Sequence, residues 1–176
     1  HDLYHFSEPL KMIRGITKPP ALSLRNEKII LRHMTAITLS DYFRKNQNRF
    51  DSVQTFVGDF QNTHGISDFL SYLQNNNERL GKTLLTVVPK ETTINVGLTD
   101  NSWIEKITGA ESRLTLAEAE VSSDYVQFEA IEKEASQTGK HWDAQWAQDR
   151  KNTIAEEPLL TFLSRKAVIP KYGFPR

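Results

Sequence analysis

Cysteine is missing from this 176-residue chain, which removes disulfides, thiol nucleophiles and thiolate metal sites together and is compatible with a reducing compartment. Net charge is missing too. With 22 basic residues set against 22 acidic ones, whole-chain electrostatics favour neither a nucleic acid nor an anionic membrane, and any basic surface has to be local. Apolar runs reach only a few residues, far short of the roughly 20 that cross a bilayer, and no signal-peptide pattern opens the sequence. The expectation is a cytoplasmic protein with no membrane partner. What is present, 38% hydrophobic and 25% charged residues, is the composition of a globular segment with enough chain to bury a core.

Periodicity predicts a mainly α fold with at most a small β element. Residues 1–25 carry Pro9, Gly15, Pro19 and Pro20 and read as a connector, a short helix or turns followed by extended chain. Asn26 can cap a helix starting at Glu27, in which Ile29, Ile30, Met34, Ile37 and Tyr42 recur at helical spacing as far as RKNQNR. Asp51 to Phe60 is a helix or an irregular apolar stretch. Ser67 caps FLSYLQ, a further helix covers Arg79 to Val88 before Pro89, and TTINVG is the best strand candidate.

From Glu111 the pattern changes. Leu114, Ala117, Val121, Phe128, Ile131, Ala135 and Trp142 share one near-heptad phase, interrupted by Asp124 and Thr138, which predicts one long helix or two broken near Gly139. Such a seam needs a facing helix, from within the chain or from another protein. Trp142 and Trp146 are expected in a core or an interface in preference to stacking on bases. Acidic residues from Glu105 to Glu134 read as the wet face of that helix. Pro158 then opens a last helix with a stripe of Leu159, Phe162, Leu163 and Ala167, and Arg165 and Lys166 sit at its negative end. The domain limits expected are a connector at 1–25, a helical domain at 26–154, and a helix and turn at 155–176.

Chemical motifs are sparse. LGKTLL imitates the end of a phosphate-binding loop, but Asn76 stands where the loop needs glycine and polar NNNER stands where it needs a buried strand. His1 and His5 have i, i+4 spacing without the glutamate of a zincin helix, and His33, His64 and His141 are scattered. No serine lies in a nucleophile elbow. No catalytic, cofactor-binding or metal residue is therefore expected in this segment. One local excess stands out: Arg25, Lys28 and Arg32 recur on one helix face, His33 follows, and Arg44, Lys45 and Arg49 close the same region, where Glu27 and Asp41 are the exceptional acids. These seven are the candidate phosphate contacts.

The opening HDLYHFSEPLKMIRGITKPPALSLRNEKIILRHMTAITL resembles the stretch after the second RecA-like motor domain of a group of large bacterial superfamily 2 DEAD/DEAH-box helicases, through Pro19, Pro20, Leu24, Asn26, Ile30, Arg32 and His33. The ending EEPLLTFLSRKAVIPKYGFP is similar to the start of that group's uncharacterised C-terminal domain. The group includes Druantia-type and DISARM-type phage-defence helicases and mitomycin-repair helicases. The two stretches cover about a third of the chain, and residues 46–154 match no named pattern.

The resemblance implies a piece of a longer protein, an ATP-dependent DNA helicase or translocase whose ATP and Mg²⁺ are bound by upstream motor domains. The partners implied are DNA, those motor domains and a downstream C-terminal domain of the same chain. Under it the segment is a non-catalytic accessory domain that braces nucleic acid beside the motor. The alternative is a helical module that docks a partner subunit through its 111–146 arm. Tyr172 and Phe174 are expected to pack downstream, which would make the chain beyond Ala167 expendable for this domain's stability.

Overall fold

The computed structural model describes residues 20–47 and 49–171, with side chains from Glu27 onward. Helix α1 runs Pro20–Lys45, so the helix begins six residues earlier than Asn26 and that residue is not its cap. Pro20 occupies the first helical position, where its missing N–H costs nothing. Met34, Thr38 and Tyr42, each one turn from the next, are buried together with Thr35 and Leu39. The threonines tolerate this because Thr38 Oγ1 donates to the Met34 carbonyl at 2.9 Å and Thr35 Oγ1 to that of Leu31 at 2.7 Å.

The short α2, Val53–Val57, starts from a capping box in which the Ser52 hydroxyl accepts from Thr55 N and the Thr55 hydroxyl accepts from Ser52 N. Its entry is tied to the far end of the chain: Val53 N donates to Glu157 O at 3.0 Å and Leu159 N to Asp51 O at 3.1 Å. Helix α3, Gly65–Asn75, begins before Ser67, whose hydroxyl instead bonds the His64 carbonyl at 3.0 Å. Helix α4, Asn77–Val87, stops before Pro89. Gly81, Lys82 and Thr83 sit inside it, so the LGKTLL triplet is ordinary helix.

TTINVG forms no strand. It continues a 3₁₀ turn at Lys90–Thr92, with Val96 N bonded to Thr92 O at 3.0 Å and Leu98 N to Thr93 O at 2.9 Å. Gly97 explains the departure from the β-branched pattern: its φ is +78°, and a Cβ there would lie 2.2 Å from Ser102 Oγ. The chain turns back at this point and buries Val96 beside the start of α5, Trp103–Thr108. No strand occurs among the described residues, only isolated bridges at Ser52 with Pro158 and Gly58 with Thr63.

Helices α6, Arg113–Gln137, and α7, His141–Glu156, form a hairpin, so the predicted seam finds its facing helix within the chain. The break falls at Gly139, whose φ of +73° ends α6 while Lys140 N reaches back to Ala135 O at 2.8 Å. The base of the hairpin, with Leu114, Ala117, Val121 and Ala155, belongs to the main core around Trp103, Phe69 and Phe162. Tyr125 still packs on it, its ring stacked on Phe60, and beyond that turn the hairpin leaves the core. Trp142 is 90% exposed and Trp146 53%, so of the two settings expected for them, core or interface, the core is not theirs.

Helix α8, Leu159–Arg165, closes the bundle, with Leu159, Phe162 and Leu163 buried. Ala167 turns the chain at φ +57°, and Val168 and Ile169 re-enter the core at 2% and 8% exposure. The domain's packing thus extends past Ala167. Tyr172 and Phe174 lie outside the described residues.

Candidate nucleic-acid interface

The predicted basic residues fall at two places. Lys28 and Arg32 sit one turn apart near the start of α1, and Arg25 lies on the same helix one turn earlier. Arg44, Lys45 and Arg49 cluster at its other end, about 18 Å from Arg32 at 1.5 Å per residue. They do not form one face with the first group. Arg44 is held 3.8 Å from Asp41 Oδ1, and Arg49 Nε donates to the Asn46 carbonyl at 3.1 Å. His33 is exposed on α1 between the groups.

Lys28 and Arg32 gain company that sequence spacing does not reveal. They line a groove of about 390 Å³ whose opposite wall is the junction between α5 and α6, carrying Lys106 and Arg113. Leu31, Ile107 and Leu114 form the apolar floor. Glu111 also lines the groove, and Glu27 Oε1 lies 3.7 Å from Lys106 Nζ, so four cations face two carboxylates. The excess is positive. Arg113 opens α6 directly after the cap Ser112, whose hydroxyl accepts from Thr115 N at 3.2 Å, which adds the positive end of a 25-residue helix to the same wall. Isolated single cations give no pattern in sequence; the one available signal for Arg113 is its place beside a serine cap.

The strongest polar constellation elsewhere is structural. Arg79 Nη1 and Nη2 donate to Asp41 Oδ1 and Oδ2 at 3.1 and 2.8 Å, and the Tyr72 hydroxyl donates to the same carboxylate. This clamp joins α1 to α3 and α4. The Arg79 guanidinium holds the Asp41 carboxyl below its ordinary value, and burial first, then Asp41, pushes the Tyr72 phenol up. Glu118 departs from the wet face expected of α6: it is buried, its carboxylate accepts from Ile66 N at 3.2 Å, and it thereby caps α3 from 52 residues away. Burial raises its pKa.

A second surface lies at the hairpin tip. Trp146 packs edge-on against Phe128 with ring centroids 5.5 Å apart, Arg150 lies 5.6 Å from the centre of that phenyl ring, and Ile131 and Trp142 stay open to solvent. Among the described residues no helix is long and apolar enough to cross a membrane. The chain matches no protein-family model, no curated protein and no solved structure in comparisons with all three.

Proposed function

We propose that this chain is a non-catalytic accessory segment of a cytoplasmic ATP-dependent DNA helicase or translocase, and that it contacts the nucleic-acid backbone through the groove between α1 and the α5–α6 junction. The motor context comes from the resemblance of the two ends of the sequence to superfamily 2 helicases, whose upstream domains would bind ATP and Mg²⁺. The observation that supports the contact is the convergence of Lys28 and Arg32 with Lys106 and Arg113 on one groove. Cations arranged this way grip phosphate oxygens without reading sequence, and each neutralised phosphate releases counterions. Arg44, Lys45 and Arg49, at the other end of α1 and on another of its faces, would add contacts only to a strand long enough to wrap the helix.

Fluorescence anisotropy with a labelled 20-nucleotide strand tests this. Four phosphate contacts give a slope of log K against log salt of about −3 on single strands. The K28E/R32E/K106E/R113E variant should abolish binding at 100 mM salt, whereas R44E/K45E/R49E should weaken it less. Binding that survives the fourfold reversal with its salt slope intact would reject the groove as the contact.

A second reading has its own support. The exposed Trp142 and Trp146 at the end of a helical hairpin suit a module that docks a partner protein. The two readings use opposite ends of α6 and are compatible in one molecule.

A further inference from the structure

The hairpin tip holds a cleft of about 210 Å³ lined by Ile131, Glu134, Thr138, Lys140, Asp143 and Trp146. Glu134 comes from the last turn of α6 and Asp143 from the first turn of α7, so the two carboxylates face one space beside the Trp146 indole. Neither is in an ion pair among the described residues. Glu132, close by in sequence, is by contrast neutralised by Lys151 at 2.5 Å. The C-terminal end of α6 and the N-terminal end of α7 meet here, and their dipoles oppose one another, which leaves the side chains to set the local potential. Among the residues that line the cleft, two carboxylates stand against the single Lys140, which makes the lining negative, while Arg150 lies outside it over the Phe128 ring.

Resting on the docking reading above, we propose that this cleft receives a Lys or Arg side chain from a cationic, apolar-faced segment of a partner protein. The guanidinium or ammonium would lie between the Glu134 and Asp143 carboxylates with an indole face beside it, and the apolar part of the segment would cover Trp142 and Ile131. Charge decides against the other occupants. A nucleic-acid backbone would bring phosphates toward the two carboxylates. A second copy docking tip to tip would set those carboxylates against their own equivalents.

Three synthetic 14-residue amphipathic peptides with the same leucine face test the assignment, their rims carrying Arg and Lys, Gln, or Glu. Trp103 is fully buried in the core, so a change in tryptophan emission on titration reports the tip. The basic peptide should bind at 50 mM salt at least tenfold more tightly than the glutamine one and weaken at 300 mM. E134Q/D143N should bring it down to the glutamine level, and W142A/W146A should abolish the signal of binding measured by calorimetry. Equal binding of all three peptides that is lost in W142A/W146A would overturn the cationic partner and keep the docking reading; no binding of any peptide would sink both. Binding of a single-stranded oligonucleotide that requires Trp142 and Trp146, or concentration-dependent dimerisation that the same double variant removes, would overturn the proposal in favour of that occupant.

Discussion

Replacing Asp41 by alanine should destabilise the protein by about 2 kcal/mol. The Asp41 side chain is only 14% exposed and serves three helices at once, through two hydrogen bonds from Arg79 and one from Tyr72. Arg79 is itself 46% exposed, so its half of the clamp is screened by water and is worth ~0.5–1 kcal/mol. The Tyr72 hydroxyl is less accessible, and a charge-assisted hydrogen bond there adds ~1.5 kcal/mol. For a chain of this size each 1 kcal/mol moves Tm by about 2–4 °C, so a fall of about 4–8 °C is expected.

Urea unfolding followed by far-ultraviolet circular dichroism, with Y72F and R79A as partners in double-mutant cycles, should give the larger coupling to Tyr72. The pH dependence has a fixed sign. Because the folded carboxyl titrates below its ordinary 3.8, its contribution is complete above that value and is lost as pH falls through the folded pKa. The gap between wild type and D41A should therefore close in strong acid. A Tm change under 1 °C at pH 7, or a gap that persists undiminished in acid, would refute this account of the clamp.

Three further outcomes follow from the packing. Gly81→Ala should stabilise by about 0.5–1 kcal/mol in thermal unfolding, since Gly81 lies inside α4 and an added Cβ meets only Trp103 Nε1, at 3.9 Å. That buried indole N–H has no partner among the described residues, so Gly81→Ser should equal or exceed alanine if its hydroxyl accepts the proton, despite serine's lower helix propensity. Glu118→Gln should keep the bond from Ile66 and flatten the stability profile: the wild-type carboxyl titrates above 4.5 when folded, so its contribution is greatest below that value and falls as pH rises through the folded pKa, as urea midpoints at pH 4 and 7.5 would show. Truncation after Ala167 should lower Tm by several degrees through loss of Val168 and Ile169, which thermal unfolding monitored by circular dichroism would show.

The α1 stripe, apart from the 45% exposed Ile29, and the break near Gly139 as one of two alternatives were legible because each depends on local chemistry, helical spacing in one case and a left-handed residue in the other. TTINVG was not, because its β-branched residues carry the strand signal while the positive φ of Gly97 and the close approach of Ser102 are fixed by tertiary packing. The heptad phase also resumes past the core after its interruptions at Asp124 and Thr138, so spacing alone cannot distinguish the buried Val121 from the solvent-facing Trp142. Glu118 misled for the opposite reason. A carboxylate on a helix flank reads as solvated unless the helix terminus that it caps is already in view. Half of the candidate groove was visible through the Lys28 and Arg32 spacing, and the other half arrives from residues 106 and 113 only when the chain folds.

Helix α6 runs between two surfaces of opposite electrical sign. Arg113 at its first residue borders the cationic groove, and Glu134 in its last turn borders the acidic cleft, with 21 residues or about 32 Å between them. A formal charge of zero therefore conceals a separation of charge along one rigid rod. In the field of a polyanion such an arrangement feels little net pull and a considerable torque, which turns the groove toward the anion and the tryptophan tip away before any contact forms. Orientation, then, is supplied by where the charges sit, and the torque weakens as salt shortens the screening length toward 8 Å.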